Sequence, residues 1–219
     1  MHTFIPAHNG RKNAFVSIAA KTFSYLFHPL FIPTYFFLWT YYRFPAEFAA
    51  LSEKGVTLRL AGVFITTTLF PAITVFLLWR LKFVSNIYLR TKRERIIPYV
   101  ASMIFYWWMW YLAREFQDQA LSLKFFYFGI FIATIPALIL NSFSKISMHA
   151  MGIAGFITAM IISCFMYNLY FGYDISIALL IGGLVLSSRL YLKEHTLHEI
   201  FLGVLIGVLS QMIAYWIMI

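Results

Sequence analysis

Residues 123–140 read LKFFYFGIFIATIPALIL, a run of 18 in which Lys124 is the sole charge. A helix needs about 20 mostly apolar residues to cross the ~30 Å hydrocarbon core of a bilayer. A membrane β-strand would instead alternate apolar and polar residues over about ten positions. This run is apolar at odd and even positions alike, so it predicts a transmembrane helix. Comparable runs extend outward on both sides, over about 58–81, 98–113, 150–171 and 200–219. Two others are irregular. The stretch 23–42 contains His28-Pro29 and Pro33, which predicts a kinked or re-entrant segment. The stretch 174–187 is short and opens on Asp174. The expectation is one all-α domain over residues 1–219, a polytopic membrane helical bundle of six or seven transmembrane helices.

Composition narrows the function classes. The 219 residues are 62% hydrophobic and 11% charged. Soluble domains are about 45–50% apolar and about 25% charged. A soluble globular enzyme is therefore excluded, and so is a disordered chain. A single cysteine, Cys164, excludes a disulfide framework and a cysteine-based zinc site. Residues 1–13 are polar and basic, without the apolar run and small-residue cleavage site of a signal peptide.

Charge is distributed unevenly. Seven crossings put the connections 82–97, 141–149 and 188–199 on the side of the N-terminus. The charges on the opposite side cancel, so the whole net charge of +9 falls on one face. In a soluble protein a basic surplus would suggest nucleic acid. Here it reads as a topology signal combined with an anion site, and no nucleic-acid partner is expected. The positive-inside rule would put this face in the cytoplasm, but several of its cations are also candidate anion ligands, so the sequence leaves either side open.

The same face collects the unusual polar residues. In Ser188-Arg189-Leu-Tyr-Leu-Lys-Glu-His195-Thr-Leu-His198-Glu199, His195 and Glu199 are four apart. On a helix they would share a face, and the carboxylate would fix the imidazole tautomer. Arg189 offers a planar, permanent cation suited to phosphate. In Lys145-Ile-Ser147-Met-His149, a hydroxyl and free N–H groups at a helix start can hold an anion, and His149 can donate a proton. Arg90, Lys92, Arg93 and Arg95 add positive charge ahead of Pro98. Cations that stabilise spread negative charge, a histidine that attacks and a second that protonates a leaving oxygen are what phosphoryl transfer needs.

These residues resemble, in order, the motifs of the type 2 phosphatidic-acid phosphatase superfamily, which includes membrane lipid phosphatases and vanadium haloperoxidases. Its motifs are K-x6-R-P, P-S-G-H and S-R-x5-H-x3-D. Ser188-Arg189, His195 and Glu199 reproduce the third, with Glu for Asp. Ser147 and His149 match half of the second, with Ile146 and Met148 replacing Pro and Gly. Arg90, Ile97 and Pro98 align with the first, and Lys92 or Arg95 would stand in for its missing Arg. The resemblance spans residues 90–199. It implies that His195 attacks phosphorus to form a phosphohistidine, Glu199 orients it and His149 protonates the leaving group. Arg189, Ser147, Lys145, Arg90, Lys92 and Arg95 would bind the phosphate, with no metal or cofactor. The implied substrate is a lipid phosphate monoester or a polyprenyl diphosphate, met among membrane lipids, and the implied setting is a bacterial inner membrane.

Plainer readings stand beside this one. Loop cations set topology, and Arg189 can snorkel to the interface. His28 can be a polar residue of a kinked helix, and His198 a bystander. The run from Tyr106 to Tyr111 reads as an interfacial aromatic belt, and Gly182-Gly183 as a place of close helix packing. A non-catalytic lipid-phosphate-binding relative is the alternative function. A small transporter is a weaker one, because the spans carry almost no charge at mid-depth.

Overall fold

The computed structural model describes residues 13–89 and 91–218, so Arg90 lies outside the described residues. The described chain is a polytopic helical bundle, with seven helical segments long and apolar enough to cross a membrane. The first is broken into α1 (Ala14–Leu26) and α2 (Ile32–Arg43) by a tight turn at Pro29–Phe31. Pro29 has no N–H to offer, so α1 ends ahead of it. Pro33 falls in the first turn of α2, where no donor is needed. The second comprises α3 (Glu53–Phe64) and α4 (Phe70–Arg80), joined through a wide π-turn over Ile65–Leu69 just before Pro71. Then follow α5 (Ile96–Glu115), α6 (Leu121–Asn141), α7 (Met148–Tyr167), α8 (Gly172–Tyr191) and α9 (Leu197–Met218). The sixth segment is thus a full-length helix, longer than the run 174–187, because it includes Gly172 and carries its polar end through Arg189.

The irregular first segment is kinked and not re-entrant. Both ends of α1 are tied to the last turn of α8: Tyr191 Oη reaches the Asn13 carbonyl at 3.5 Å, and Arg189 reaches Ser24 Oγ at 3.3 Å. So α1 lies over one end of the bundle, and α2 runs from that end toward the other. It starts at His28, against His149 at the head of α7, and ends at Arg43, paired with Asp174 at the head of α8.

At the centre α7 packs against α9, α8 and α6, while α5 lies on the outer side of α6. Phe36 of α2 stacks on Phe126 of α6 with ring centroids 4.1 Å apart. Phe76, Leu180 and Trp216 point outward, as expected of a lipid-facing surface. The aromatic run divides in the same way: Trp107 and Trp108 are exposed, whereas Tyr106 and Met109 are buried.

Between helices in lipid, close packing replaces the hydrophobic effect as the source of association. The tightest seam here is α7 on α9. A β-carbon on Gly203 would stand 2.6 Å from the Ser147 carbonyl oxygen, and one on Gly207 would meet backbone of Met151 and Gly155. Gly203 and Gly207 form a small-xxx-small pair that lets the two backbones touch. Gly182 also packs closely, on Ile153 and Ile157, while Gly183 faces open space.

Gly203→Val should therefore separate the heads of α7 and α9. A lowered apparent Tm of the purified protein in detergent is expected, of the size seen for overpacked cores, about 1–3 kcal/mol. Because α1 lies over one end of the bundle, labels at Asn13 and at Lys193 should share one accessibility to an impermeant reagent in sealed vesicles.

Candidate active site

Three helix ends meet on the face that carries the net charge. The head of α9 is a capping box. The Thr196 N–H donates to Glu199 Oε2 at 3.0 Å, and the Glu199 N–H donates to Thr196 Oγ1 at 3.3 Å. This folds the Glu199 carboxylate back onto His195, whose Nδ1 is 3.2 Å from Oε2 and 3.1 Å from the Lys145 carbonyl oxygen. His195 precedes α9, so the pair forms through the cap and not through two positions on one helical face. Both partners of Nδ1 are pure acceptors. The proton of the neutral ring therefore sits on Nδ1, and Nε2 keeps a lone pair. Burial, then the Arg189, Arg95 and Lys145 cations, pull the His195 pKa down to about 4. The ring is neutral at pH 7.

The head of α7 is joined to the same point. The Ser147 N–H donates to the Glu199 carbonyl at 3.3 Å, and Ser147 Oγ caps α7 by accepting from the Ala150 N–H. Lys145 Nζ donates to the Glu194 carbonyl at 3.3 Å and lies 4.0 Å from its carboxylate. Burial lowers the Lys145 pKa. Arg95 donates from Nε to the Leu89 carbonyl and from a terminal nitrogen to the Ile146 carbonyl.

The end of α8 supplies Arg189. One terminal nitrogen donates to Ser24 Oγ at 3.3 Å, the other lies 3.8 Å from the Glu194 carboxylate, and Nε is buried without a partner. His149 Nε2 donates to the Ser24 carbonyl at 2.9 Å, and its ring meets His28 edge-on at 5.2 Å. It lies within electrostatic range of Arg189 and His195.

Ser24 thus holds both groups from α1. Its carbonyl is free because the helix stops there. The next N–H that would take it, that of His28, bonds to Tyr25 instead, and Pro29 has none. Neither Ser24 nor Glu194 is picked out by a motif, and His28-Pro29 is the one local signal that the chain folds back here.

Of the residues expected in the site, His195, Glu199, Lys145, Ser147, His149, Arg189 and Arg95 are brought together. Lys92 stands apart, donating to the Phe143 carbonyl at 2.7 Å, and His198 is exposed. Arg90 lies outside the described residues.

The depressed His195 value makes stability pH-dependent. The folded pKa of about 4 is below the ordinary 6.5, so the unfolded chain binds the extra proton between these values. Stability is full above about pH 6.5 and is expected to fall as pH drops toward 4. A pH series of apparent Tm checks this, and His195→Gln should flatten the slope. Neither a protein-family model, nor a curated protein, nor a solved structure matches the chain.

Proposed function

We propose that the protein is an integral membrane phosphatase acting on a lipid phosphate monoester or a polyprenyl diphosphate. The observation that carries the proposal is the state of His195: Nδ1–H held by the Lys145 carbonyl and Glu199, and an Nε2 lone pair in a cationic surround. A neutral, oriented imidazole is a nucleophile at pH 7.

In the first step the Nε2 lone pair attacks phosphorus while the bond from phosphorus to the lipid oxygen breaks. His149, whose own proton sits on Nε2 against the Ser24 carbonyl, relays the proton of the phosphate monoanion through Nδ1 to the departing oxygen. In the second step water attacks the phosphohistidine, His149 Nδ1 passes one proton of the water to a phosphoryl oxygen, and the phosphorus–nitrogen bond breaks. Phosphate leaves, and His195 Nε2 regains its lone pair. Glu199 balances the positive charge that grows on His195. Arg189, Arg95 and Lys145 stabilise the charge on the phosphoryl oxygens. A bacterial inner membrane as the setting rests on the family resemblance alone.

One observation favours a second reading, a non-catalytic lipid-phosphate-binding protein. His149 Nε2 is engaged with the Ser24 carbonyl, which suits a structural role as well as a proton donor.

The deciding assay is phosphate release by purified protein from phosphatidate, phosphatidylglycerol phosphate, sphingoid-base phosphate and polyprenyl diphosphate in mixed micelles. His195→Ala should lose at least about a thousandfold. Glu199→Gln should lose about 10²–10⁴-fold, and Arg189→Lys should not restore what Arg189→Ala loses. A labelled phosphohistidine on His195 is expected after acid-free quenching. Unchanged turnover in His195→Ala overturns the mechanism, and tight phosphate-lipid binding without turnover selects the second reading.

A further inference from the structure

Below the histidines runs a groove of about 380 Å³ between α2, α7 and α8. Each wall is one helical stripe, and each stripe is headed by a residue of the site. On α7, Ile153, Phe156 and Met160 continue the face of His149 at intervals of three or four residues. On α8, Ile181, Ala178 and Asp174 lie on the face that ends at Arg189. On α2, Ile32, Tyr35 and Trp39 follow His28. Residues three and four apart on a helix share a face, so the α7 and α8 walls lead back to the phosphate end, and Phe27 and Ile32 bring the groove beside His28.

The far end is neutral. Asp174 accepts from Arg43 Nε, from a second Arg43 nitrogen and from Trp39 Nε1 at 2.8 Å. The Arg43 charge is therefore matched by a carboxylate. Among the described residues, the carboxylates that face Arg189, Arg95 and Lys145 at the near end are Glu194 and Glu199. From His149 to Met160 is about 16 Å of helix, close to the ~15 Å depth of one leaflet. At about 30 Å³ per water-sized unit, the groove holds roughly a dozen methylene-sized groups. It opens sideways at Ile177 and Tyr42, both more than half exposed.

We infer that this groove binds one hydrocarbon chain of a lipid phosphate, with the phosphate at His149 and Arg189 and the chain end between Met160 and Ala178. The inference rests on the phosphate-site reading above and adds the chain-binding half of the substrate. The charge balance at the two ends fixes the direction of the lipid.

The test is photolabelling of the full chain in nanodiscs with decyl phosphate carrying a diazirine either near the head or at the chain terminus. The head-proximal probe should label Phe27, Tyr35 or Ile153, and the terminal probe Met160, Ile177 or Ala178. Ala178→Phe should cut terminal labelling about tenfold. Ile177→Phe, at the half-exposed rim, tests the same point if the buried substitution does not fold. The same labelling is run in His195→Ala, in which the proposed hydrolysis cannot consume the probe. A protein that labels in this order but releases no phosphate overturns the catalytic reading and leaves the groove standing. Labels spread over outward residues such as Phe76 and Trp216, unaffected by either variant, overturn the groove. Equal labelling by the uncharged decyl alcohol also overturns it, since the cations would then not set the orientation.

Discussion

The junction of α7 and α9 governs the charged end of the molecule. Gly203 and Gly207 let the two backbones meet, and at their heads the Ser147 N–H bonds to the Glu199 carbonyl. One carboxylate oxygen of Glu199 then accepts from both the Thr196 N–H and His195 Nδ1. Replacing that oxygen would cost the helix cap and the orientation of the imidazole together. The tautomer of His195 is thus a consequence of how closely two helices pack about one turn below it. Any change that separates α7 from α9 reaches the site without touching a polar residue.

A second constraint is the shortage of water at helix ends near a bilayer. Orphan carbonyls there must find donors from the protein. Here the donors are the residues that a phosphate site also needs: His149 takes the Ser24 carbonyl, Lys145 that of Glu194 and Arg95 those of Leu89 and Ile146. Structural and chemical readings of these side chains therefore overlap. They are not exclusive, since Arg has five N–H donors and Lys three. A side chain that anchors a carbonyl with one or two of them has others left for an anion.

The spans were legible because a bilayer demands an unbroken apolar run, which few other contexts tolerate. The sixth was legible only in part, because its ends carry Gly172 and Arg189 and composition marks only its middle. The spacing of His195 and Glu199 pointed to a real pair but for the wrong reason. Thr196-x-x-Glu199 is a helix-start signature, and it brings the carboxylate to a residue that is not helical. Ser24 could not be read at all. It acts through a backbone carbonyl, freed by a proline five residues on and used by a histidine 125 positions away. A side-chain pattern carries no trace of such a contact.

The place of α1 follows from the same logic and bears on access to the site. Phe15, Ile18 and Leu26 are exposed on it, while Ala20 and Ser24 are buried. A helix that lies over the charged end with one apolar side outward suits the boundary between headgroups and acyl chains. It therefore covers His149 and Arg189, which Ser24 holds, while the groove opens away from it at Ile177 and Tyr42. With that arrangement a ligand carrying a hydrocarbon chain has a lateral path along α2 and α8. A small water-soluble phosphate must pass α1, which is held by Ser24 to the two residues the phosphate would need. If the protein acts on a lipid phosphate as proposed, this geometry would favour, by route as well as by contact, the ligand that is already in the membrane.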